Sequence, residues 1–228
     1  MFTNGYGKIL SFQLPIANHN STVQRIGLFG GSFDPVHLGH LLVAQAAMEE
    51  LELARLFFIP TAQSPFKPDS KPAPANERLR LLRLALAGKT NCEIDEQEIR
   101  RGGVSYTIDT LRDYARRFPQ AQLFYLIGAD NVTSLPQWRE ANELARLAEF
   151  VAIPRPVWSS GFSRSGPSRE ERDGTPNFPP PFRGRTLKGF PFGVSSSQIR
   201  ARVKAGLPID ALVPPAVAEA VRNNRLYL

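Results

Sequence analysis

Two of the chain's three histidines, His37 and His40, stand three positions apart in the stretch FGGSFDPVHLGH, residues 29–40. An imidazole can ligate a metal, shuttle a proton, donate to phosphate or pack. Zinc needs three or four ligands. The remaining histidine is His19, far upstream, and Cys92 is the one cysteine, so metal ligation fails on ligand count. The spacing puts both imidazoles on roughly one face of a helix start. Gly30 and Gly31 allow the backbone to approach a bulky anion, Ser32 and Phe33 continue the turn, and helix amides follow. Phosphate contact is the reading these residue types favour; a turn cap beside a packed ring is the alternative.

Three other stretches carry candidate chemistry. In RRGGVSYTIDTL, Tyr106 and Thr107 sit at a helix start, where capping alone is an adequate account. In FYLIGADNVTSLPQW, Asp130 closes an apolar run and Trp138 offers a stacking surface, or a core residue. In VSSSQIRARV, Ser196, Ser197 and the helix amides, with Arg200 one turn on, form a second anion cradle, or a plain cap followed by a solvated arginine. Lys67 lies in the proline-rich SPFKPD, and Arg155 follows an apolar run.

The elements that must position these residues alternate in type. A strand over 25–29 ends at the glycines, and LGHLLVAQAAMEELEL after Pro35 has helical periodicity. A strand at 56–60 precedes a helix capped by Asn76 and stopped at Gly88. Residues 92–94 form a weak strand, 105–118 a helix and 122–130 a buried strand. Residues 141–155 read as helix then strand, 195–206 as a serine-capped helix ending at glycine, and the final stretch as another helix. Near-continuous apolar strands alternating with helices predict an α/β fold: a doubly wound, Rossmann-like parallel sheet with helices on both faces and a small C-terminal helical part.

The composition bounds the rest. A chain of 228 residues holds one sizeable domain, and 42% hydrophobic with 21% charged residues suits a globular protein with no apolar run long enough to span a bilayer. Residues 1–24 lack the pattern of a secretory signal and read as an N-terminal extension to a domain over 25–228. One cysteine fits a reducing compartment, so cytoplasm is the expected location. The formal charge of +7 favours anionic partners. A net +4 of it falls between Pro154 and Pro191, beside eight of the 20 prolines, which weakens the case for a general nucleic-acid surface. Residues 155–190 are expected to form a Pro/Gly/Arg-rich mobile loop. Oligomeric state is left open, a homo-oligomer included.

GGSFDPVHLGH resembles the H-x-G-H signature of the nucleotidylyltransferase superfamily. With RRGGVSYTIDTL, FYLIGADNVTSLPQW and VSSSQIRARV, the chain from about Arg25 to Leu228 is similar to the bacterial nicotinate mononucleotide adenylyltransferases. That resemblance implies adenylyl transfer from ATP to nicotinate mononucleotide, with Mg²⁺ carried mainly by the ATP phosphates, and no nucleic-acid or membrane partner. His37, His40 and Arg200 are implied as catalytic. Gly30, Gly31, Ser32, Phe33, Lys67, Asp130, Ser196 and Ser197 are implied for ATP, and Tyr106, Thr107, Trp138 and Arg155 for the mononucleotide. Phe66 departs from the family, which usually carries a histidine there. Pantetheine-phosphate adenylyltransferases and sugar-alcohol phosphate cytidylyltransferases share the nucleotide site. The SYTIDTL and GAD…W segments argue against both. A non-catalytic nucleotide-binding module is the remaining alternative.

Overall fold

The computed structural model describes residues 23–65, 72–154, 176–190 and 193–228. Six strands form one parallel sheet in the order β3-β2-β1-β4-β5-β6. They are β1 (Arg25–Gly31), β2 (Arg55–Pro60), β3 (Cys92–Ile94), β4 (Gln122–Gly128), β5 (Glu149–Ile153) and β6 (Gly184–Thr186). The chain winds outward from β1 to β3, then returns to lay β4 on the other side of β1. The strand order therefore reverses between β1 and β4. In an open parallel sheet the crevice outside the carboxyl ends at such a reversal is where ligands bind.

The strands are apolar on both faces because both faces are covered. Phe29, Leu56, Phe58, Phe124, Leu126 and Val151 point into one core, shared with α1 (Leu38–Glu50), α2 (Ala75–Leu86) and the C-terminal helices α6 (Ser196–Lys204) and α7 (Pro215–Asn223). Their neighbours Ile26, Leu28, Phe57, Ile59, Tyr125 and Phe150 point into the other, with α4 (Thr107–Arg117), the 3₁₀ segment Ala129–Gln137 and α5 (Ala141–Leu147). The period of two along each strand sorts residues between two cores rather than between core and water.

Several expectations change in detail. Pro74, not Asn76, caps α2, and Asn76 lies within its first turn. A pre-set proline φ starts the helix, while a proline nitrogen has no hydrogen to leave unpaired. The loop expected over 155–190 contributes β6, which pairs with β5 through Phe150↔Gly184 and Ala152↔Thr186. Glycine is required at 184 because a Cβ there would lie 2.3 Å from the Phe150 carbonyl oxygen and 2.5 Å from the Phe178 ring. A short helix, α3 (Gln97–Arg101), and the 3₁₀ segment went unpredicted. Among the described residues no helix is long and apolar enough to cross a membrane.

Candidate active site

β1 delivers Gly30 and Gly31 to the carboxyl edge of the sheet, the chain turns through Ser32–Val36, and His37 then caps α1 in an extended conformation. The His37 backbone N–H donates to Nδ1 of His40 over 3.2 Å. Since that nitrogen accepts, a neutral His40 carries its proton on Nε2. The two rings stack, centroids 3.7 Å apart and planes 24° apart. His40 also meets the edge of Phe33, a buried residue whose φ of 46° folds its ring back beneath the turn among Phe29 and Phe58. His37 is buried, and its Nδ1 has no hydrogen-bond partner among the described residues.

Burial lowers the His37 pKa to about 4. It also holds His40 well below its ordinary value, with the nearby His37 pushing the same way. Both rings are therefore neutral at pH 7, which is what lets them stack without repulsion. Three amides at this helix start are already engaged, that of His37 by His40 Nδ1, that of Leu38 by the Leu212 carbonyl at 3.0 Å and that of His40 by the His37 carbonyl at 3.0 Å. The imidazole N–H groups, more than the helix amides expected from sequence, are the donors left to meet an anion.

The glycines answer first to the protein's own packing. A Cβ on Gly30 would lie 2.6 Å from the Tyr125 hydroxyl, and one on Gly31 3.2 Å from the Phe33 ring. The Thr107 hydroxyl in turn donates to that of Tyr125 over 3.3 Å. Tyr125 on β4 thus ties the expected mononucleotide residue Thr107 to the glycine turn across the strand-order reversal. Tyr106 caps α4 with the Arg139 guanidinium 4.9 Å over its ring. Trp138, next in sequence to Arg139, donates from Nε1 to Ser134 Oγ at 3.2 Å and meets Phe150 edge to face. With Pro136, Asn142, Arg146, Pro180 and Pro181, Trp138 borders a hollow of about 610 Å³.

The α6 start also reaches the first loop. Ser195 caps it reciprocally with Gln198, while Ser196 Oγ donates to the Pro35 carbonyl at 2.9 Å. Arg200 Nη1 donates to the Asp34 carbonyl at 2.6 Å and lies 3.6 Å from Asp34 Oδ2; Nη2 donates to Ser197 Oγ. Ser196 therefore works as a tie between α6 and the loop, and Arg200 stands at the loop's edge, partly exposed. Gly30, Gly31, Ser32, Phe33, His37, His40, Ser196, Ser197 and Arg200 are thereby brought together at the end of β1. Hydroxyl and imidazole donors with one guanidinium make this set suited to an anion.

The comparisons with known proteins agree with that chemistry. A cytidylyltransferase-like family model matches residues 28–202. The chain is 38% identical over 203 residues to the probable nicotinate-nucleotide adenylyltransferase of Opitutus terrae, covering 89% of this chain and 97% of that protein. It is 36% identical over 205 residues to that of Corynebacterium kroppenstedtii, covering 90% and 91%. The chain belongs to the nicotinate-nucleotide adenylyltransferase family. Solved structures share its fold. Plasmodium falciparum nicotinic acid mononucleotide adenylyltransferase complexed with NaAD gives a TM-score of 0.68 at 16% identity, over 90% of this chain and 97% of that one. A putative nicotinate-nucleotide adenylyltransferase from Vibrio parahaemolyticus gives 0.62 at 18%, over 90% and 96%.

Within this family member, Lys67, Phe66 and Arg155 fall outside the described residues. Asp130 is exposed in the 3₁₀ segment that follows β4. Sequence reading missed the groups that hold the histidine loop from behind. Asp34, 4% exposed, accepts at Oδ1 from the Ala73 N–H and from the Tyr227 hydroxyl. Arg78, 2% exposed, donates from Nη1 to the Ser32 carbonyl at 2.8 Å and from Nε to the Ala73 carbonyl at 3.1 Å. Arg78 did leave a signal. It shares the apolar stripe of α2 with Leu81, Leu82 and Ala85, whereas Arg80 and Arg83 fall on the exposed face. A charge on the buried stripe marks a group with partners inside.

Proposed function

We propose that this chain transfers the adenylyl group of ATP to nicotinate mononucleotide, yielding deamido-NAD and pyrophosphate in NAD biosynthesis. The observation that carries the reading is the convergence of His37, His40 and Arg200 on one loop at the carboxyl end of β1, where the strand order reverses. Near-complete coverage of nicotinate-nucleotide adenylyltransferases supports the same acceptor.

An oxygen of the acceptor 5′-phosphate attacks the α-phosphorus of ATP in line. The bond between that phosphorus and the oxygen bridging to the β-phosphate breaks, and pyrophosphate leaves with the electron pair. The nucleophile is already anionic at neutral pH, so no general base is required. The protein's work is positioning and charge stabilisation. Neutral His37 and His40 present N–H donors to the phosphates, and Arg200 supplies a fixed positive charge, with Ser197 beside it. Tyr106, Thr107 and Trp138 are the proposed wall of the mononucleotide site, and Asp130, in the 3₁₀ segment after β4, is a proposed ATP contact.

Among the described residues no group of three or more His, Cys, Asp or Glu is placed to hold a metal ion. The donors at the loop match phosphate oxygens, so Mg²⁺ fits this site as an ion carried by the triphosphate and water, where it supplies charge neutralisation. Pyrophosphate release tests the assignment. It is measured with ATP against nicotinate mononucleotide, nicotinamide mononucleotide and phosphopantetheine, and with CTP against a sugar-alcohol phosphate. Fastest turnover with the first pair is expected; preference for phosphopantetheine or CTP would reassign the acceptor, and no turnover with any would leave a binding module.

A further inference from the structure

Beyond α7 the chain turns back through two residues with positive φ, Arg225 at 50° and Tyr227 at 67°. The first is explained locally. The Leu226 N–H bonds the Val221 carbonyl and the Arg225 N–H that of Arg222, the paired bonds that close a helix with a left-handed residue after its cap. The second has no such helical account. Its effect is to carry the Tyr227 side chain back to the histidine loop, where the hydroxyl donates to Asp34 Oδ1 over 2.9 Å. Leu226 and Tyr227 also pack on the core beneath that loop.

Asp34 is where these contacts meet. Oδ1 takes the Ala73 N–H and the Tyr227 hydroxyl, leaving Oδ2 and the main-chain carbonyl toward Arg200. We propose that Tyr227 is a positioning residue for ATP binding, orienting the Asp34 carboxylate so that Asp34 in turn aims the Arg200 guanidinium at the phosphates. The inference rests on the function proposed above. The C-terminal turn thereby forms part of the phosphate clamp without touching the nucleotide.

A double-mutant cycle on the full chain tests this: wild type, Tyr227→Phe, Arg200→Ala and the double variant, with ATP and mononucleotide dissociation constants from calorimetry, kcat/KM for each substrate, and unfolding midpoints. Tyr227→Phe is expected to weaken ATP binding about 5-fold, the scale of one hydrogen bond, and to leave mononucleotide binding unchanged. In the Arg200→Ala background the same change should cost nothing further, because the group it orients is gone. An equal loss in both backgrounds, no loss in the wild-type background, or a matching loss for the mononucleotide would overturn the inference. If wild type binds ATP but releases no pyrophosphate, the proposed function fails, while the binding cycle still reads the coupling.

Discussion

The His37 and His40 rings stack 3.7 Å apart while the His37 N–H donates to His40 Nδ1, so one bond fixes both the loop geometry and the tautomer of the second ring. Burial depresses both pKa values, that of His37 to about 4. Between that value and 6.5 the unfolded chain binds protons that the folded chain does not, so stability must fall as pH drops through this window. Urea midpoints should decline from pH 7 to pH 4.5, and the decline should shrink in His37→Gln. A midpoint independent of pH across the window would contradict neutral rings.

His40 has two separable jobs, a cap through Nδ1 and a proposed phosphate donor through Nε2. His40→Asn keeps an acceptor near Nδ1 and removes the donor. Turnover at saturating ATP should fall by about 100-fold, the scale for losing one preorganised donor at developing charge. The unfolding midpoint should stay near wild type. Near-normal turnover in this variant would remove His40 from the proposed clamp.

Much of the fold was legible because both sheet faces are covered, which writes the central strands as apolar runs and helices such as α2 and α4 as amphipathic stretches between them. What escaped has physical reasons. β6 is three residues long at the sheet edge, and Gly184 and Arg185 do not look like strand formers; its pairing depends on Phe150 offering a backbone that only glycine can approach. The place of the histidine turn, at the end of β1 where the strand order reverses, was legible from residue types. Its supports were not, since Asp34 and Tyr227 are 193 positions apart and only the tertiary fold joins them. The glycines were read for a ligand's sake, whereas Tyr125 and Phe33 already use the space they leave.

Trp138 is held at both ends, by its Nε1 bond to Ser134 and its edge contact with Phe150. Such anchoring suits a stacking wall, since little side-chain freedom remains to be lost on binding. Trp138→Ala should weaken mononucleotide affinity by about 1 kcal/mol or more while leaving ATP affinity nearly unchanged. Titration of each ligand separately by calorimetry gives the comparison. Equal weakening for both, or none for either, would count against Trp138 as a wall of the mononucleotide site.

Gly30 and Tyr125 face each other across β1 and β4, and the 2.6 Å that a Cβ would leave to the phenol oxygen is too short for any real contact. The next nearest atom, the ring carbon bearing that hydroxyl, would be at 3.4 Å, an ordinary van der Waals distance. The clash of Gly30→Ala is therefore with one oxygen. That oxygen belongs to a rigid ring in the core, so the ring or the strand must shift, at a cost of about 1–3 kcal/mol. Tyr125→Phe removes the oxygen and, with it, the hydrogen bond from Thr107. The double variant Gly30→Ala/Tyr125→Phe should accordingly regain most of the stability lost by Gly30→Ala alone, measured by urea unfolding. If glycine at position 30 serves only the incoming phosphate, Gly30→Ala will instead keep wild-type stability and lose ATP affinity, and Tyr125→Phe will rescue neither.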